Sequence, residues 1–406
     1  MNRSVLLLVI TFLEEVAGML VARGVYFYTH ERMDFSDLRN LALALTFGLA
    51  YVAGALLSGP FCRRLPEKHA LGATIVAQGL TYLALFLWPT WWLVFAGVAA
   101  AAVLNGMKWP IIESYVSAGL TPVQTSRAIG RFNMTWATAV PATMVLTGPL
   151  VAFTGKGIFL VSCVLTLANL FLTRPLRTRP LHLPHDHPTR PGAGHLRRYA
   201  GLLASGRWTM IASYAMLKVL DPLVPGIFES LGIGTLWAAP LWSTPGWVRL
   251  AVFAAMRRFT GWHGRSGLLL ASLILLPVGF FLALLGPGLV QAATGLEGPA
   301  CLPAALTALL CGAVLIGLTA GVAYYAALWY AMVVRNASVD AGGVHESLIG
   351  LAFAAGPAAG LAGAALAGMS MGFAPGYLLA AGPLAVLCAA GAFRSLLKAA
   401  RAGPVS

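Results

Sequence analysis

Val5–Tyr28 reads VLLLVITFLEEVAGMLVARGVYFY. A helix needs about 20 predominantly apolar residues to cross the hydrocarbon core of a bilayer. This stretch supplies them, with only Glu14, Glu15 and Arg23 breaking the apolar run. No small-residue cleavage site follows it, so it reads as a first membrane span and not as a removable signal peptide. Eleven further stretches of the same kind lie near 40–60, 70–89, 91–116, 128–153, 157–173, 207–226, 236–257, 267–286, 303–333, 344–369 and 375–395. Turn residues mark the connectors, as in Trp88-Pro89-Thr90 and Gly372-Phe373-Ala374-Pro375.

The composition agrees with that pattern. Of 406 residues, 59% are hydrophobic and 10% charged, against roughly 25% charged in soluble domains. Mean hydropathy is +0.80. A water-soluble surface and a disordered chain are both excluded, because too much apolar area seeks burial. The predicted fold class is therefore an all-α membrane protein of about twelve transmembrane helices. The formal charge of +14 would suggest nucleic acid in a soluble chain, but its distribution points to membrane topology instead. If each span reverses the side, 20 basic residues fall on the side of the N-terminus. Arg32, Arg39 and Lys156 fall on the other, with Arg23 at its border. Basic residues gather in cytoplasmic loops, so both termini are placed in the cytoplasm of a cell (inner or plasma) membrane, and no nucleic-acid partner is needed. The five cysteines form no CxxC pair, which argues against a zinc site or a disulfide framework.

One connector is longer than the others: RPLRTRPLHLPHDHPTRPGAGHLRR from Arg174 onward, rich in Pro, Arg and His. It reads as a polar linker, 174–206, between bundles at 1–173 and 207–396, with a tail at 397–406. The halves repeat weakly: Gly106, Trp109 and Tyr115 match Gly321, Tyr324 and Tyr330 at one offset. The four linker histidines, His182, His185, His187 and His195, have neither the spacing nor the cysteine partners of a metal site.

Twelve spans divided six and six, a long basic central loop and both ends inside resemble the major facilitator superfamily over nearly the whole chain. The local mark is Gly59-Pro60-Phe61-Cys62-Arg63-Arg64-Leu65-Pro66-Glu67-Lys68 after the second span. It is similar to that superfamily's G-x-x-x-D-R-x-G-R-R loop, with Arg63 standing where the family has its acid. A second mark, Gly350 to Gly360 with Gly356-Pro357, is similar to a Gly-Pro motif of antiporter subgroups, but it lies in span 11 instead of span 5. It reads as a helix-packing motif of small residues. The resemblance implies two pseudo-symmetric bundles, spans 1, 4, 7 and 10 around a central cavity, a small-molecule substrate held near the midplane, and rocking of the halves. It also implies a monomer.

Ionisable residues inside a membrane are costly and are usually paired or functional. Glu14 and Glu15 lie about ten residues into the first span. Neighbouring positions on a helix point about 100° apart, so the two face differently. At least one is expected to meet the cavity or a basic partner, either as a proton-exchanging group of a coupled carrier or as half of a static ion pair. Lys108 in span 4 and Lys218 in span 7 would serve an anionic or zwitterionic substrate group, or partner those glutamates. Asp221 shares a helix face with Lys218 and can pair with it. Arg249 is a third deep cation, and Arg23 is expected to snorkel to the surface, pair with Asp34 or Asp37, or stand at the cavity mouth. Tyr324 and Tyr325 lie too deep for an interfacial belt and are candidates for stacking on an organic solute.

A rim group is expected at a cytoplasmic gate: Arg63, Arg64, Glu113, Arg127, Arg131, Arg335, His345 and Glu346. With Arg63 in the acid's place, Glu346 in the first turn of span 11 would supply the missing negative charge and pair with Arg63 or Arg64. His345-Glu346 opens HESLI, which is not the HExxH of a zinc protease. No catalytic set, metal site, cofactor site or nucleotide-binding loop is visible. The sequence therefore predicts a secondary transporter of a small organic solute in the lipid bilayer, with protons as the candidate coupling ion. The alternatives are a uniporter or efflux carrier, or a non-transporting receptor or assembly factor on the same fold.

Overall fold

The computed structural model describes residues 3–117, 120, 122–180, 193–295, 300–334, 339–366 and 375–401. These residues form helices and short connections, without a strand among them. In chain order the helices are α1 (Arg3–Ala22), α2 (Gly24–Met33), α3 (Asp37–Arg64), α4 (Glu67–Leu87), α5 (Trp91–Ser117), α6 (Pro122–Pro149) and α7 (Gly157–Thr173). Then follow α8 (Ala193–Leu220), α9 (Val224–Ser230), α10 (Thr235–Leu241), α11 (Thr244–Arg258), α12 (Gly267–Thr294), α13 (Leu302–Val334), α14 (Val339–Leu366) and α15 (Pro375–Arg401). A π-helical turn, Leu150–Thr154, extends α6.

Local chemistry sets the ends. Ser36 caps α3, its side chain accepting from the Arg39 amide at 3.5 Å. Pro66 forces Leu65 into extended backbone, so α3 stops at Arg64. Span 7 breaks where Pro222 and Pro225 remove two amide donors; α8 and α9 meet there at 50°. Span 1 is interrupted at Arg23, between α1 and α2.

Among the described residues, nine helices are long and apolar enough to cross a membrane, or ten if the bent pair α8–α9 is one span. The expected segment at 157–173 is α7, a shorter apolar helix of 17 residues. The one at 236–257 is divided into α10 and α11 around Trp242 and Ser243, with Pro240 and Pro245 on either side. The linker also differs from its expected limits: α8 begins at Ala193, so residues 193–206 are helical. Residues 174–180 fold back beneath the first half, where the Tyr115 hydroxyl donates to the Arg177 carbonyl at 2.6 Å. His182, His185, His187 and Arg335 lie outside the described residues.

The packing makes two sets. In the first, α1 lies against α5, α6 and α7, α3 against α5, and α4 against α5 and α7. In the second, α8 lies against α13, α14 and α15, while α11 and α12 flank α13. The sets meet along two seams, α3 and α5 on α14, and α6 on α10 and α11. Glycine permits the closest approach in the first seam: a Cβ on Gly48 would lie 2.3 Å from the backbone of Phe353. The Gly-Pro motif packs as expected of small residues, since a Cβ on Gly356 would meet the Ala215 carbonyl at 2.2 Å. Large apolar side chains such as Leu56, Leu80, Phe171, Ile274 and Val386 point outward, where lipid and not water must solvate them.

Candidate functional site

The adjacent glutamates of α1 have different fates. Glu14 turns into the first helical set and forms an ion pair with Lys108 of α5, and both are 0% exposed. Lys108 also donates to Gln78 Oε1 of α4 at 2.5 Å, and Asn169 of α7 donates to Glu14 Oε1 at 2.9 Å. Gln78 in turn donates to Asn105 at 3.2 Å and to Tyr82. Four helices are thus tied by one buried polar network. Its two charges neutralise each other away from the cavity, the arrangement of a static ion pair. Glu15, one position on, points out of this set and is 6% exposed.

Glu15 lines a cavity between the two sets. Its first half contributes Glu15, Met19 and Arg23, Phe47 and Tyr51 of α3, Asn105, Trp109 and Glu113 of α5, and Phe132, Trp136 and Val140 of α6. The second contributes Tyr214, Leu217, Lys218 and Asp221 near the end of α8, Arg249 of α11, Tyr324 of α13, and Glu346, Ile349 and Phe353 of α14. Such a mixture, an apolar and aromatic wall with a few convergent polar groups, is typical of small-molecule sites.

At one end of the cavity a charged knot joins the halves. Arg23 donates to Asp221 Oδ1 through Nη2 at 2.5 Å and through Nε at 3.2 Å. Trp242 Nε1 donates to the same oxygen at 2.9 Å, and Lys218 Nζ lies 3.1 Å from Oδ2. Arg23 and Asp221 stand at the interruptions of spans 1 and 7, so each half offers a charge where its helix is broken. Beyond them His30 of α2 meets Glu229 of α9 at 2.9 Å. The Lys218 ammonium also lies 4.7 Å over the ring of Phe353.

The middle of the cavity is different. Arg249 stacks 4.7 Å over Trp136 and donates to the Tyr214 hydroxyl at 3.2 Å. Tyr324 packs edge-on against Trp136, with centroids 4.9 Å apart. Glu346 accepts a hydrogen bond from Tyr51. Glu15 and Glu346 are absent from the described ion pairs.

Of the residues expected at the cavity, Glu15, Lys218, Asp221 and Tyr324 line it, and Glu14 and Lys108 pair outside it. Tyr325 faces away, against Phe253 and Trp262. Of the rim group, Glu113 and Glu346 are buried in the cavity wall. His345 is buried beside Tyr324 at 5.5 Å, and Arg63, Arg64, Arg127 and Arg131 are exposed. The expected contact of Glu346 with Arg63 or Arg64 is replaced by one with Tyr51. That residue lies twelve positions before Arg63 in α3, or about 18 Å of helix. Tyr51, Trp136, Tyr214 and Trp242 were not picked out from the sequence, where aromatic residues are too common to signal a site. The Arg23–Asp221 link had one legible sign, a charge beside Gly24 in one span and beside Pro222 in the other.

Two helical sets meeting around a cavity, inside an apolar exterior, define a polytopic membrane protein. The family model of the Major Facilitator Superfamily matches residues 36–339, and the chain belongs to that superfamily. Among solved structures it is similar to the nucleoside transporter NupG, with a TM-score of 0.63, 14% identity, and coverage of 98% of this chain and 99% of that one. A point mutant of NupG gives a TM-score of 0.66 at 13% identity, covering 98% and 100%. A bacterial homologue of the human lysosomal transporter Spinster, inward-facing and unoccupied, gives 0.63 at 14% identity, covering 99% and 98%. At these identities the likeness is one of fold. No curated protein matches the sequence.

Proposed function

We propose that this protein is a secondary transporter that moves a small organic solute by alternating access, and that the central cavity is its binding site. The observation that carries the reading is the Arg23–Asp221 link, which joins the two halves at one end of a cavity lined by both. Rocking of the halves would break that link and open this end, while the seams of α3 and α5 on α14 close the other. The basic end faces the cytoplasm, so the linked end faces outward and both termini lie on the cytoplasmic side of a cell membrane. The protein works as a monomer, needs no cofactor and catalyses no covalent chemistry. Helices α1–α7 and α8–α15 are the two moving units.

Glu15 is the proton-exchanging group of this mechanism. It lines the cavity without a fixed counter-ion, whereas Glu14 is held by Lys108. The receptor or assembly-factor reading would suit charges wholly neutralised in a dry interface. Glu14 and Lys108 fit that description, but Glu15 does not. The test is solute-driven proton movement in proteoliposomes as classes of solute are added. Wild-type protein is expected to give a solute-dependent proton flux, and Glu15→Gln to abolish it. Solute flux without proton movement would reduce the function to uniport.

A further inference from the structure

We infer that the cavity selects a solute carrying a cationic group, an ammonium or amidinium on an apolar or aromatic body, held between Glu15 and Glu346. The inference rests on the reading of this cavity as the substrate site. Its basis is how the charges in the wall are already used. Arg23 and Lys218 are both spent on Asp221 in the knot at one end. That leaves Arg249 as the cation lining the middle of the cavity. Its guanidinium is directed to the Tyr214 hydroxyl and the face of Trp136, not to a carboxylate. The same cavity is lined by Glu15, Glu346 and Glu113.

Glu15 is 6% exposed, lines the cavity and takes part in none of the described hydrogen bonds or ion pairs. Glu346 is 5% exposed and is met by a phenol, which hydrogen-bonds but does not neutralise. Arg249, Lys108 and Lys218 attract Glu15 from a distance and Glu346 repels it, but none of the three cations forms an ion pair with it. Buried carboxylates that lack an ion-paired partner are costly, and a cation entering this space would pair with two of them at once. The surrounding rings suit the same ligand. Tyr51 and Tyr324 line the cavity beside Glu346, and such an aromatic wall favours a cation with an apolar body over a small hydrated ion.

The experiment uses the purified full-length protein and three probes of matched shape: 3-phenylpropylamine, 3-phenylpropanol and 3-phenylpropanoate. Saturable binding of the radiolabelled amine, and its displacement by each unlabelled probe, is measured near neutral pH. The expected result is about tenfold or greater preference for the amine over both others, worth about 1.4 kcal/mol. Glu15→Gln and Glu346→Gln are expected to lose that preference while melting at the wild-type temperature. The surface variant Glu31→Gln is expected to keep it. Equal affinity for the three probes, tighter binding of the carboxylate, no saturable binding of the amine, or unchanged preference in both cavity variants would overturn the inference. Counterflow of the amine in proteoliposomes separates this from the transport reading. Amine binding without flux supports the cationic site and removes the transporter. Flux of solutes with no preference for cations keeps the transporter and removes the cationic site.

Discussion

Glu14 and Glu15 are chemically identical neighbours, yet one is structural and the other is open to the cavity. The difference is the 100° rotation between successive helix positions. It directs Glu14 to Lys108, Gln78 and Asn169 and directs Glu15 to the space between the halves. Their substitutions should therefore separate. Glu14→Gln leaves the fully buried Lys108 without its counter-charge and is expected to destabilise the fold by about 3–5 kcal/mol, the usual result of removing one partner of a buried pair. Glu15→Gln breaks no ion pair and is expected to melt at the wild-type temperature. Thermal unfolding of the two variants in detergent decides this, and equal melting temperatures would show that the pair with Lys108 contributes nothing. Most deep charges could be recognised in the sequence as residues that need a partner, because a span of apolar residues makes them conspicuous. Which partner each one takes could not, because Asp221 had Lys218 three residues away and Arg23 198 residues away, and it takes both.

At the scale of the element, helices are interrupted or pressed together where the sequence has Pro and Gly. The break between α8 and α9 follows from Pro222 and Pro225. It sets Asp221 opposite Arg23, at the corresponding interruption of span 1. The seam of α3 on α14 makes a second case. An added methyl on Gly48 would sit 2.3 Å from the backbone of Phe353, so the helices would have to separate. Gly48→Ala is expected to destabilise the protein by about 1–3 kcal/mol through overpacking. Gly72→Ala, whose methyl would touch only Leu170 Cδ1 at 3.8 Å, is expected to be neutral or stabilising, because alanine favours helix. Comparison of the two melting temperatures tests the assignment. Both residues are glycines in long apolar helices, and only the position of α14 distinguishes them.

At the scale of the molecule, the two sets of helices share a cavity that neither could form alone. Its charged knot ties one end, and the basic residues lie at the other. The orientation follows from that asymmetry. Lys156, on the connection before α7, is expected outside the cell, and Arg401, at the end of α15, inside. In otherwise unchanged protein, Lys156→Cys should react with a membrane-impermeant maleimide added to intact cells, and Arg401→Cys only after permeabilisation. The reverse pattern would invert the proposed topology and turn the Arg23–Asp221 link toward the cytoplasm.

Composition and the spacing of apolar runs by themselves determined that the protein is a helical membrane protein. Hydrocarbon imposes one rule on every span, whatever lies beside it: backbone groups must bond within the helix and side chains must be apolar. The sequence likewise determined the presence of costly charges within the spans. Only the tertiary structure decided which of those charges meet. Pairing depends on how helices from distant parts of the chain are rotated and set against one another, and no local pattern records that rotation. Lys108 turned inward to Glu14, Arg23 crossed to Asp221, Glu346 moved from an expected rim contact to Tyr51, and Glu15 was left facing the cavity.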